Sequence, residues 1–213
     1  MPLKYDHRDI FETHVGIWRI QEELDYFRSS MYLYEHETEE IADLSSRKLL
    51  EWYASRYLLY KMTDDASRGA CVKDEYGKPF IEGSDRFISL SHSNDWIAVA
   101  GSKVAIGVDV QIIVDKITRI AHRISSPGEI ASVEGDQYIL GLHILWGAKE
   151  SIYKAYGKRN LEFRKHIKID SFIPGNVVET TGSLTLEDIH MSFIIKAFKI
   201  ENFVLVYAME VGT

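Results

Sequence analysis

Three short segments of this 213-residue chain hold the residue types that could do chemistry together. The first is Gly107-Val108-Asp109-Val110-Gln111. It lies in a stretch, residues 103–110, whose alternation reads as a β-strand, with Val104, Ile106, Val108 and Val110 on one face and Ala105, Gly107, Asp109 and Gln111 on the other. Small residues followed by a carboxylate and an amide oxygen are what a cation or phosphate site needs. The second is Trp146-Gly-Ala-Lys-Glu150-Ser-Ile-Tyr-Lys154, where Trp146, Glu150 and Lys154 recur every four residues and share one helix face. Alone, Glu150 and Lys154 read as an ordinary surface ion pair. The third, Gly77-Lys78-Pro79, reads as part of a turn and is uninformative by itself.

Other chemistries find no support. Phosphate-loop, dinucleotide, zinc-protease and nucleophile-elbow motifs are absent, and the eight histidines show no metal-ligand spacing. Ser91-His92 does not make a nucleophile and base, because adjacent residues of an extended strand point to opposite faces.

The elements that must position these residues follow from periodicity. A strand is expected near 14–20, a helix over 38–62, strands over 86–90 and 96–100 around a turn at 91–95, and a helix over 115–124. A further helix over 138–156 ends at Gly157, and a closing hairpin turns around Glu201 and Asn202. The 38–62 helix carries the apolar stripe Leu49, Trp52, Tyr53, Leu59 and Tyr60, with Arg56 inside it, a cation that needs either a carboxylate or a ligand phosphate, the core ion pair being the favoured reading. Arg47 and Lys48 lie off that stripe and are the better anion ligands. Lys116, Arg119 and Arg123 form a basic row, read either as a solvated face or as a docking strip for an acidic partner.

Composition sets the frame. The net charge is −7 and the hydrophobic fraction 46%, an ordinary globular mix in which nucleic acid and anionic membranes are poor default partners. A single cysteine, Cys71, leaves no internal disulfide and disfavours structural zinc. The start, MPLKYDHRDI, shows no secretion-signal pattern and no apolar run is long enough to span a bilayer, so the expectation is a cytoplasmic protein.

Taken together and in order, Gly-Lys-Pro at 77–79, Gly-Val-Asp-Val-Gln at 107–111 and Trp-x-x-Lys-Glu-Ser-x-x-Lys at 146–154 resemble the 4′-phosphopantetheinyl transferase superfamily, in its Sfp-type, holo-[acyl-carrier-protein] synthase-like form. Ser91-His92-Ser93 after Phe-Ile-Ser-Leu matches a usual segment of that family, and the resemblance runs from about Tyr34 to the mid-160s. It implies an α+β fold of two similar α/β subdomains related by a pseudo-twofold axis, with the site in the cleft between them. The corresponding division is an N-terminal subdomain, 1–105, and a C-terminal subdomain, 106–213, in one globular unit. No such symmetry is visible in the residues themselves.

The resemblance further implies a magnesium-dependent enzyme that moves 4′-phosphopantetheine from coenzyme A to a serine of an apo-carrier of fatty-acid, polyketide or nonribosomal-peptide biosynthesis, releasing adenosine 3′,5′-bisphosphate. Asp109, Glu150 and Lys154 are then catalytic, and Asp109 and Glu150 bind the metal, with Gln111 as a weak third ligand where many relatives carry an acid. Arg47, Lys48, Lys78, Pro79, Ser91, His92 and Lys154 are assigned to coenzyme A. The usual basic residues before the first long helix are replaced here by an acidic stretch, Tyr34-Glu-His-Glu-Thr-Glu-Glu40. The carrier is expected to dock along Lys116, Arg119 and Arg123 beside Ile112 or Ile113, on a monomer. Two rival readings are a non-catalytic protein of the same fold that binds coenzyme A or a carrier, and a metal-dependent phosphohydrolase that cleaves coenzyme A with water.

Overall fold

A computed structural model describes residues 3–9, 12–62 and 69–212, with side chains from residue 12 onward. The strands are β1 (Leu3–Asp9), β2 (Thr13–Arg19), β3 (Cys71–Lys73), β4 (Pro79–Ile81), β5 (Phe87–Ser93), β6 (Trp96–Ser102), β7 (Ile106–Ile112), β8 (Ile167–Ile169), β9 (Val177–Leu186), β10 (Ile189–Ile200) and β11 (Phe203–Val211). The helices are α1 (Leu24–Ser29), α2 (Glu35–Ile41), α3 (Ser46–Met62), α4 (Ala121–Ile124), α5 (Pro127–Ser132), α6 (Tyr138–Tyr156) and α7 (Phe163–His166).

The strands form two antiparallel sheets, ordered β1-β2-β6-β5-β4-β3 and β7-β11-β10-β9-β8. Once β1 is set aside, the same path is taken twice. An opening strand leads through helices to four further strands, and the last of these returns beside the first. This is the expected α+β architecture of two similar halves.

Packing follows from the alternation of each strand. One apolar layer lies between α3 and the first sheet, built from Trp52, Leu58, Ile88, Ile97 and Val99 among others. A second joins the two sheets through Ile17, Trp96, Ala98, Val108, Val110, Leu205 and Tyr207. A third packs α6 on the second sheet through Leu142, Leu145, Ala148, Ile152, Val204 and Val206. The approach of α6 to β7 requires Gly107, since a Cβ there would sit 1.8 Å from the Ser151 carbonyl oxygen.

Several boundaries depart from expectation. The 38–62 helix is two helices, α2 and α3, broken where Asp43 and Ser45 occur, residue types that favour caps over helix interiors. Residues 91–93 belong to β5, and the hairpin turns on Asn94 and Asp95 alone, with Asn94 in the left-handed region at φ 53°. The 115–124 helix is a 3-10 turn, Asp115–Arg119, followed by α4. The helix over 138–156 is found as read, closed by Gly157 at φ 76°. The closing hairpin also forms, β10 and β11 joined through Glu201 and Asn202. Arg56 is buried in the core ion pair expected of it, beside Glu37 (3.8 Å) and Glu40 (3.5 Å), so the acidic stretch anchors α2 on α3. Cys71, the one cysteine of the sequence, is buried.

Candidate functional site

The site forms at the free edge of β7. This strand pairs with β11 on one side only, so its other backbone groups need partners from elsewhere. Ser89 and Ser91, two residues apart on β5 and therefore on one face, supply them. Ser89 Oγ accepts from Val108 N at 3.0 Å and Ser91 Oγ accepts from Val110 N at 3.2 Å. Lys154 reaches over from α6 and donates to the Val108 carbonyl at 2.9 Å. The two sheets are thus tied together where the candidate acid stands.

Asp109 is buried and heavily coordinated. Its Oδ1 accepts from Ser91 Oγ (3.0 Å) and Lys154 Nζ (2.8 Å), and its Oδ2 accepts from Gln111 Nε2 (3.1 Å). Lys154 Nζ also donates to Ser91 Oγ at 3.0 Å, so all three ammonium donors are directed inward. The expected separation of Ser91 from its neighbour is observed. Ser91 is buried against Asp109, while His92 lies on the opposite face of β5, exposed, with its Nδ1 3.4 Å from Glu51 on α3.

Glu150 lies one helical turn before Lys154 and is half-buried. Among the described residues it makes no hydrogen bond or ion pair. Burial raises its pKa above the ordinary glutamate value, the charge of Asp109 raises it further, and Lys154 opposes both. Two carboxylates that repel one another, one of them without a partner, suit a divalent cation held by oxygen donors. Among the described residues no group of three or more His, Cys, Asp or Glu side chains is arranged for a metal.

The residues assigned to coenzyme A divide among three places, of which Ser91 and Lys154 at Asp109 are the first. Lys78 stands at the C-terminal end of α6, where its Nζ donates to the Ala155 carbonyl and its stem lies against Gly157. Burial lowers its pKa, with Asp74 and Glu210 opposing. Its turn is set by Asp74, whose Oδ1 accepts from Tyr76 N and Lys78 N, and by Gly77 at φ 90°. Pro79 opens β4 next to it. Arg47 and His92 instead converge on Glu51, with Arg47 Nε 2.6 Å from its Oε1, and Lys48 is exposed beside them.

Three residues of this neighbourhood escaped sequence reasoning. Glu51 carries an i,i+4 signal from Arg47. Ser89 carries a period-two signal from Ser91. His143, seven residues before Glu150 on the same face of α6, holds the side chain of Gln111. The basic row Lys116, Arg119 and Arg123 is exposed, and Ile112 and Ile113 beside it are half-buried. No helix among the described residues is long and apolar enough to cross a membrane.

Comparison with known proteins agrees with the resemblance read from the motifs. Residues 105–207 match the family model described as the 4′-phosphopantetheinyl transferase superfamily, a segment that contains Asp109, Gln111, Glu150 and Lys154. The chain is also similar to the 4′-phosphopantetheinyl transferase gsp of Aneurinibacillus migulanus, at 33% identity over 103 residues, 47% of this chain and 41% of that protein. The match therefore spans less than half the length of that relative.

Proposed function

We propose that this chain, whose residues 105–207 carry the superfamily match, transfers the 4′-phosphopantetheine group of coenzyme A to a serine of an apo acyl or peptidyl carrier protein. The observation that carries the reading is that Lys154 is bonded to Asp109 and stands one turn from Glu150, 41 positions from Asp109 by number, whose proton affinity the charge of Asp109 raises.

In this reaction the serine oxygen forms a bond to the phosphorus on the pantetheine side of the pyrophosphate. The bond from that phosphorus to the bridging oxygen breaks, and its electron pair leaves with adenosine 3′,5′-bisphosphate. Asp109 and Glu150 are the residues that would hold magnesium, which when bound supplies positive charge to the pyrophosphate oxygens. Glu150, with its raised proton affinity, takes the proton of the serine hydroxyl. Lys154, fixed by Ser91, Val108 and Asp109, lends its charge to the departing phosphate. Lys78, followed by Pro79, borders the end of α6, and Arg47 and Lys48 with the His92 imidazole beside them form the group for a phosphate of the nucleotide, which must displace Glu51 from Arg47 and His92. The exposed basic row steers an acidic carrier towards the β7 edge.

Incubation with coenzyme A, magnesium and an apo-carrier, followed by intact-mass measurement of the carrier, tests the reading. A gain of one phosphopantetheine is expected, with loss of that gain in Asp109→Ala and Glu150→Gln. Nucleotide release without carrier gain establishes hydrolysis instead, and coenzyme A binding with neither product establishes a binding protein.

A further inference from the structure

Gln111 occupies the position at which a second oxygen ligand is expected, yet its amide is used differently. Nε2 donates to Asp109 Oδ2 at 3.1 Å and to the His143 carbonyl at 3.1 Å, and Oε1 lies 2.6 Å from His143 Nδ1. The reverse amide orientation would set its oxygen against a carboxylate and a carbonyl at once, two acceptor–acceptor contacts, so chemistry fixes this one. The amide oxygen therefore faces His143 rather than the carboxylates. Gly147 makes the space: a Cβ there would lie 2.9 Å from Gln111 Nε2.

His143 is held in turn. Nδ1–H donates to Gln111 Oε1, while Nε2 lies 2.9 Å from Val114 N and 3.1 Å from the Val114 carbonyl oxygen, accepting from the first in the Nδ1–H tautomer. Burial lowers its pKa, with the Val114 backbone and the charge of Asp109 opposing.

We infer that Gln111 is a positioning residue and not a metal ligand: anchored by His143 on α6, it fixes the plane of the Asp109 carboxylate relative to the helix that carries Glu150. This deepens the proposed function and rests on it for its kinetic consequence. The geometric consequence stands apart from catalysis. A one-sided donor from β7 to Asp109, locked to α6, sets how the two acids face each other before any substrate arrives.

The test combines a metal-free spectrum with a double-mutant cycle. In the full chain with chelator, long-range 1H–15N spectra are expected to show His143 as the Nδ1–H tautomer, and to lose that state in Gln111→Met. In carrier labelling at saturating magnesium, at a temperature well below every variant's thermal midpoint, Gln111→Met and His143→Ala are each expected to lower kcat about tenfold or more. The double variant is expected to be no worse than either single one, because the two act as one unit. His143→Asn, which restores a donor near the Nδ1 position, is expected to recover most of the rate lost in His143→Ala. An Nε2–H tautomer in the wild-type protein overturns the inference. So does a wild-type kcat of Gln111→Met at saturating magnesium with only a raised magnesium requirement, the mark of a lost ligand, or additive losses in the cycle. If the wild-type chain labels no carrier, the proposed function fails while the spectral arm still decides the clamp.

Discussion

Lys154 Nζ donates to Asp109 Oδ1 at 2.8 Å across 45 positions of sequence, and both groups also touch Ser91 Oγ. The pair joins the helix of the second half to its edge strand and, through Ser91, to the first half. Lys154→Met should therefore act on both chemistry and assembly. A fall in transfer of about a hundredfold or more is expected, together with a lower thermal midpoint, read by carrier labelling and by a melt of the same preparation.

Glu150 makes a pH prediction of definite sign. Its folded-state pKa is raised by burial and by Asp109. A carboxylate raised on folding favours the folded state at low pH, and that contribution is lost as pH rises through the folded pKa. In metal-free protein, Glu150→Gln should raise the thermal midpoint at neutral pH by on the order of a few degrees. The gain should vanish below the ordinary glutamate range. An equal gain at both pH values would contradict the mutual repulsion of the two acids.

The rate should follow the same group. With Glu150 needed as its carboxylate, the acid limb of kcat against pH should lie above the range of an unperturbed glutamate. Replacing Lys154, which opposes that shift, should move the limb higher still.

Lys149, adjacent to Glu150 in sequence, does different work. It is fully buried, with Nζ 2.9 Å from Glu129 Oε1 and further bonds to the Phe163 and Ile167 carbonyls. Burial lowers its pKa while Glu129 opposes. Glu129 also accepts from Ser126 N and Ile169 N, so the pair ties α5, α6 and β8 together. Lys149→Met should cost about 3–5 kcal/mol by leaving a buried carboxylate unpaired, measured by urea unfolding.

Charge reversal of Lys116, Arg119 and Arg123 together should raise the carrier KM strongly and leave the coenzyme A KM nearly unchanged. All three are exposed, so the melt should not move. Unaltered carrier kinetics would remove the docking role.

Local periodicity by itself determined α6 from Tyr138 to Tyr156 with its αL end at Gly157, the alternation of β7, and the opposite facing of Ser91 and His92. It also placed Glu150 and Lys154 on one helical face. These features depend on repeats of 3.6 and 2 residues, which neighbouring positions carry in full. The break between α2 and α3 was not legible, because cap-forming residues inside an apolar pattern signal only weakly.

Only the tertiary structure decided which faces meet. That Ser89 and Ser91 satisfy the edge of β7, that Gln111 turns its oxygen to His143, and that Lys78 lies on the end of α6 all depend on chain closure over tens of residues. The repeated sheet path is likewise absent from the residues, since many apolar sequences satisfy the same alternation. Spacing specifies the direction of a side chain within its element; what it finds there is set by the packing of elements distant in sequence, chiefly the burial of apolar surface.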